Sequence, residues 1–358
     1  MAPTDPLRRR DFLRLGTAAT GTLATGGLAG LLSACGTSPS SDTQLVYAGY
    51  GGSYQSSMKE AMFGPFAKQA GLTVKYTADA NDVSKLSAMA KADRSQDDIA
   101  DAQGPALAQL RSTGALAKLD TSVLNSADLA KPDLATAYSV PYYQFSHNIF
   151  WNAAKIDGKL ASWADVWDVE KFPGKRGFQR LPWFTLEIAL IADGVAIEKL
   201  YPLDVDRAFQ SLDRIKPHAV FLDNNSLTNA VSTGEIVTAD LNLARVKTIQ
   251  QSGVKLEYTW NEAMLDVEQL VVLRGGPNPD AAQKAVRYSL RPQTQLRIMN
   301  KLGYTPTSKA ALAKIPADQA KDLPGTEQTL DHSFYLDSEW WMKNYAAVSE
   351  RFQSWLSS

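Results

Sequence analysis

The chain has 358 residues, 44% of them apolar and 21% charged, which suits about two compact domains and excludes a wholly disordered protein. Its 37 basic and 38 acidic residues balance, and no basic run occurs beyond the extreme N-terminus, so the charge footprint of a nucleic-acid binder is missing. One cysteine cannot close an intramolecular disulfide and three scattered histidines cannot build a cysteine/histidine metal cage, which argues against a zinc enzyme.

Residues 1–34 read as an export signal. Arg8-Arg9-Arg10 supplies the basic start, and residues 15–35 carry no charge. That stretch is too rich in Gly and Thr for a convincing membrane-spanning helix. Arg9 and Arg10, followed by Asp11-Phe12-Leu13, resemble the twin-arginine signal, whose pathway exports folded protein; a plain secretory signal is the alternative. Leu32-Ser33-Ala34-Cys35-Gly36 resembles the bacterial lipobox, which implies that Cys35 becomes the lipid-bearing first residue of the mature chain. Such a chain is held on the outer face of the cytoplasmic membrane or in the periplasm without a spanning helix. Residues 35–43 are polar and turn-rich, a flexible tether. The chain from Cys35 onward keeps 33 basic and 36 acidic residues, a net charge of −3.

From Gln44 onward strand-like and helix-like segments alternate, as an α/β protein requires. Residues 44–50 read as a strand, and 53–70 as a helix with Met58, Met62 and Phe66 on one face. Residues 72–76 follow as a strand, Asp79 as the cap of a helix through Lys91, 98–103 as a third strand and 105–113 as a third helix. Residues 140–152 look extended and cross between halves. Helices at 162–168, 185–192 and 204–215 then interleave with strands near Gly177, at 218–222 and at 235–240. Residues 257–265 and 268–273 read as two strands, 280–302 as a long helix bent at Pro292, and 338–356 as a tryptophan-rich closing helix.

Several segments together resemble the extracellular solute-binding subunits of ABC importers, in the spermidine/putrescine-binding branch. They include Tyr50-Gly51-Gly52-Ser53-Tyr54, Ser139-Val140-Pro141, Ser162-Trp163-Ala164-Asp165-Val166-Trp167-Asp168, Tyr201-Pro202-Leu203-Asp204 and Gly303-Tyr304-Thr305-Pro306, in the right order over nearly the whole mature chain. The resemblance implies a type II periplasmic-binding fold: two doubly wound α/β lobes joined by crossing strands, closing on a solute in the cleft between them. The expected division places 44–150 with 266–312 in the first lobe and 151–265 with 313–358 in the second. The expected partners are a small solute, a membrane permease with its ATPase, and a membrane surface through the lipid; no nucleic acid, no cofactor, and a monomer.

The glycines after the first strand let the backbone approach a ligand, Ser53 can cap the following helix, and Tyr50 and Tyr54 can supply aromatic contact. Alternation along Asp266-Val267-Glu268-Gln269 puts Asp266 and Glu268 on one face, where two like charges call for solvent or a cation. Polyamine-binding relatives place an amine-pairing aspartate at the position of Glu268, which implies an amine-bearing solute. Gln103 aligns with a cleft hydroxyl of those relatives. Departures from their pattern occur at Leu181-Pro182-Trp183-Phe184, where they carry a carboxylate, and at Leu241-Asn242, where they carry a tryptophan; Trp183 and Asn242 are the candidate contacts there. Asp240 or Glu187 is the available replacement carboxylate. The expected function is capture of a polyamine or related amine for import. A receptor of the same fold for an anion, an amino-acid conjugate or opine, or ferric ion is the alternative, the last through Tyr142-Tyr143. An exported enzyme is disfavoured, because no Gly-x-Ser-x-Gly elbow or metal-ligand histidine pair occurs.

Overall fold

The computed structural model of the protein describes residues 43–120 and 126–358, so the readings of Arg9, Arg10 and Cys35 lie outside the described residues. Its strands are β1 (Gln44–Ala48), β2 (Thr73–Thr77), β3 (Ile99–Ala102), β4 (Ser139–His147), β5 (Phe150–Asn152) and β6 (Lys175–Gln179). They continue with β7 (Ala219–Leu222), β8 (Ile236–Ala239), β9 (Leu256–Tyr258), β10 (Ala263–Val272), β11 (Thr305–Pro306) and β12 (Ser333–Tyr335). In the first lobe the sheet order is β11-β4-β10-β3-β1-β2, parallel from β3 to β2 and antiparallel where β10 meets β3 and β4. The period of two in β1 sorts its side chains between two cores. Leu45 and Tyr47 pack with Met58, Met62 and Phe63, and Ala48 packs with Leu86 and Leu110.

The second lobe is built on the parallel sheet β7-β6-β8, with Leu227, Val231, Ile236, Leu243 and Val246 in its core. Strands β4 and β10 are buried along their whole length. Their far ends lead into the second lobe, where β5 pairs with β9 and His147 bridges to Asn242. The closing helix Ser338–Ser357 touches both lobes: it packs on the helix Gly104–Ser112 of the first, and it seats Trp341 against Trp183 and Trp355 against Phe221 of the second, each with ring centroids 5.1 Å apart.

Several expectations are corrected. The first helix, Gly52–Ala70, contains a π-helical turn at Lys59–Phe63 just before Pro65. Proline has no N–H for the carbonyl of Ala61, and Arg297 Nε takes that oxygen at 2.7 Å instead. Asp82 rather than Asp79 caps the helix Val83–Lys91, accepting from Lys85 N at 2.9 Å. Residues 257–265 are not one strand: Glu262, at φ 58, turns the chain between β9 and β10. β10 then runs unbroken through Asp266 and Glu268. The long helix divides into Pro279–Ser289 and Pro292–Leu302, because Arg291 adopts the extended conformation that a following proline imposes. β12 pairs with β10 in the first sheet, so residues 313–358 are not confined to the second lobe. Two helices, Asn224–Ser232 and Leu243–Gln251, went unread.

Candidate functional site

A cavity of about 610 Å³ opens between the lobes. The loop after β1 forms part of its first wall. Gly51 and Gly52, at φ 77 and 58, turn the chain from strand to helix and leave Tyr50 and Tyr54 facing the cavity with ring centroids 5.4 Å apart. Gln103, at the end of β3, also lines it. The next residue, Gly104, is where Trp183 of the opposite lobe presses closest: a Cβ there would lie 2.4 Å from the indole.

Glu268 is the acid of this wall. It projects from β10 into the cavity, is 2% exposed, and accepts hydrogen bonds from Tyr50 Oη at 2.9 Å and Tyr143 Oη at 3.3 Å. Behind it, outside the cavity lining, lies Asp101 of β3. Three hydroxyls donate to Asp101: Tyr47, Tyr54 at 2.7 Å and Tyr142 at 2.6 Å. Tyr143 has one hydroxyl proton to share between Glu268 and the Tyr54 oxygen 3.0 Å away, so the tyrosines between them set the two carboxyls in one cluster. Burial, then the charge of Asp101, pushes the Glu268 carboxyl well above the ordinary carboxylate range. Burial also raises Asp101, to about 6, against the opposing pull of its three hydroxyl donors. Tyr304 stacks on Tyr143 at 4.4 Å and 5°, completing an aromatic surface beside the acid.

The second wall is basic and amide-rich. Arg180 follows β6, and Arg245 stands on the helix Leu243–Gln251, held by Asn225 Oδ1 at 3.3 Å and Thr228 Oγ1 at 3.2 Å. Among the described residues neither arginine is ion-paired with a carboxylate. Asn242 caps that helix through Oδ1 at 2.9 Å from Ala244 N, which leaves its amide nitrogen as a donor. Asp223, also in the lining, is committed to the cap of Asn224–Ser232, and the Ser226 hydroxyl holds its carboxyl below the usual value. Phe184, at φ 67, lays its ring on His147 at 3.9 Å and 10°. His147 Nδ1 in turn sits against Oδ1 of the fully buried Asp240. A non-glycine residue with positive φ is costly, and here it shapes the cavity floor.

Of the residues singled out in the sequence, Tyr50, Tyr54, Gln103, Trp183, Asn242 and Glu268 meet at this cavity. Ser53 does not: it is exposed and caps nothing, because Gly51 occupies the cap position. Asp266 does not either. It lines a separate cavity of about 350 Å³ with Arg111, Lys131 and Gln269. Burial raises its carboxyl to about 7. The replacement carboxylates are corrected too, since Asp240 is closed by His147 and Glu187 is buried under Tyr201 and Trp341, at 2.6 and 2.5 Å. Tyr142 and Tyr143 serve the two carboxyls, and among the described residues no group of three or more His, Cys, Asp or Glu side chains gathers as a metal site. The sequence reading missed Asp101, Arg180, Arg245 and Tyr304.

Residues 61–326 match the model of the family described as bacterial extracellular solute-binding protein. The chain is 29% identical over 317 residues to the gamma-aminobutyric acid-binding protein of Pseudomonas aeruginosa, covering 87% of this chain and 90% of that one. It is 23% identical over 262 residues to the spermidine/putrescine-binding periplasmic protein of Escherichia coli, covering 69% and 72%. A solved GABA receptor superposes with a TM-score of 0.80 at 33% identity, over 87% of this chain and 97% of the other. A binding protein of A. tumefaciens in complex with agropinic acid does so with a TM-score of 0.80 at 29% identity, over 88% and 99%.

Proposed function

From the premise that the chain belongs to the bacterial extracellular solute-binding proteins, which deliver small solutes to ABC importers, we propose that its solute is a small amino acid with ammonium and carboxylate at opposite ends. The observation that carries this reading is the asymmetry of the cleft. Glu268 and the rings of Tyr50 and Tyr304 suit an ammonium through ion pairing and cation–π contact. Arg180, Arg245 and the Asn242 amide suit a carboxylate, and arginine offers it a two-pronged fork. A diamine would set its second ammonium against two arginines, which disfavours the polyamine reading. The likeness to the gamma-aminobutyric acid-binding protein supports the same choice.

Closure of the lobes would bring the two walls onto one molecule, with Trp183 resting on Gly104 as the point of approach. The cavity volume, about 610 Å³, favours as a second reading a larger conjugate of the opine kind, with the same ammonium and carboxylate contacts. We further read Arg9-Arg10 and Cys35 as the export and lipid-anchoring signals that hold the receptor beside its permease. The test is a thermal-shift and calorimetric screen of the mature protein against γ-aminobutyric acid, other amino acids, agropinic acid, putrescine and spermidine. The proposal expects stabilisation by an amino acid or its conjugate. Tighter binding of putrescine than of every amino acid overturns it.

A further inference from the structure

Glu268 and Asp101 share one buried array of tyrosine hydroxyls, and the number of donors differs between them. Asp101 receives three hydroxyls, two of them at 2.7 and 2.6 Å. An ionised carboxylate is an acceptor only, so three donors suit it in that form. Glu268 receives two, one of them long at 3.3 Å. The surroundings of Glu268 contain no neutralising charge close by. Its own strand contributes Asp266 and β3 contributes Asp101, two acids that oppose its ionisation when they are charged. β1 and the loop after it, the first helix, the middle of β4 and the segment before β11 contribute tyrosines: Tyr47, Tyr50, Tyr54, Tyr142, Tyr143 and Tyr304. The cations of the cleft, Arg180 and Arg245, stand on the other wall, where Arg180 donates to the Phe221 carbonyl and Arg245 to Asn225 and Thr228. His147 is engaged by Asp240, and Asp223 by its helix cap.

We propose that in the empty receptor Glu268 carries a proton which the ligand's ammonium displaces, and that Asp101, which the ligand does not touch, is the positioning residue that keeps the proton there. This deepens the proposed function and rests on its placing of the ammonium at Glu268. The step balances. The Glu268 carboxylic acid meets an alkylammonium ion, its O–H bond breaks, the proton leaves to solvent, and a carboxylate–ammonium pair remains. Two buried like charges in one site cannot both persist without a counter-charge, so the ammonium and the proton compete for the same position. Capture is therefore linked to pH: affinity rises with pH for as long as the empty site holds its proton.

The test is calorimetric titration of γ-aminobutyric acid into the mature protein in phosphate and in Tris, whose ionisation heats differ. About one proton released per ligand near pH 7, and roughly tenfold tighter binding per pH unit below that, are the expected results. Binding with no proton release and a flat pH profile overturns the proposal while leaving the function standing. Asp101→Asn should cut the release toward zero and flatten the pH profile; a purely structural role would change affinity and leave the count of protons intact. Infrared spectra of the ligand-free protein decide the matter without any ligand or folded Asp101 variant. The wild type minus Glu268→Gln difference should contain a protonated carboxyl C=O band at neutral pH, and a carboxylate band in its place rejects the assignment. Failure of γ-aminobutyric acid to bind, with the acid band present, counts against the ligand reading alone.

Discussion

Asp240 and Glu268 are buried to the same degree, 0% and 2% exposed, on facing sides of one cleft, yet they are built differently. Asp240 is closed within the protein, with His147 Nδ1 against one oxygen and Gln179 Nε2 at 3.4 Å from the other. Glu268 meets only neutral hydroxyls and opens on the cavity. A buried acid given its own basic partner serves the fold, because removing either member leaves the other stranded. An acid given only hydroxyls is incomplete until a cation arrives. The contrast separates structure from function where sequence spacing treats both as acids near a strand end.

The largest expected effect breaks the comparison on its structural side. Asp240→Asn should cost about 3 kcal/mol of unfolding free energy in the ligand-free protein, read by chemical denaturation. Glu268→Gln should do the reverse: the thermal midpoint stays near that of the wild type, and affinity for γ-aminobutyric acid falls about 100-fold, or about 2.7 kcal/mol. Equal loss of stability in the two variants would erase the distinction. A smaller effect concerns pH. Burial raises both Glu187 and Asp266 to about 7. The folded chain thus holds protons there that the unfolded chain has released, and the stability they contribute is fully present below the unfolded carboxylate values and is lost as pH rises toward about 7. The free receptor should be more stable near pH 5 than near pH 8 by at least about 1 kcal/mol, and Glu187→Gln should flatten that slope. Tyr50→Phe, which removes one hydroxyl from Glu268 and keeps the ring, should weaken binding by only about 1 kcal/mol, a fewfold loss in a titration.

Much of the acid wall was legible in the sequence. Tyr50 and Tyr54 flank a glycine turn after β1 and Glu268 sits within the alternating strand β10, all local signals, and the structure brings them together. Ser53 failed because the two glycines, not the serine, absorb the turn, so the helix begins one residue earlier. Asp266 failed because alternation sorts side chains by face and not by which cavity they reach: two residues before Glu268 on β10, it lines the separate cavity with Arg111 and Lys131. The basic wall was illegible for a different reason. Arg245 rides on Leu243–Gln251 and is held by the preceding helix Asn224–Ser232, whose run of Asn, Ser and Thr has weak helical preference and is rescued by its Asp223 cap and by packing of Leu227 and Val231. Asp101 went unnoticed because its role lies in three tyrosines up to 54 residues away in the chain, a convergence no local pattern displays.

If an acid wall faces a basic wall across one ligand, reversing the charge of one side must change which ligand binds. Calorimetric titration of wild type and Arg245→Glu with γ-aminobutyric acid and with putrescine should show the wild type preferring the amino acid and the variant shifting toward the diamine by at least tenfold in the affinity ratio. An unchanged ratio would mean that the basic wall does not meet the ligand, and would contradict the account.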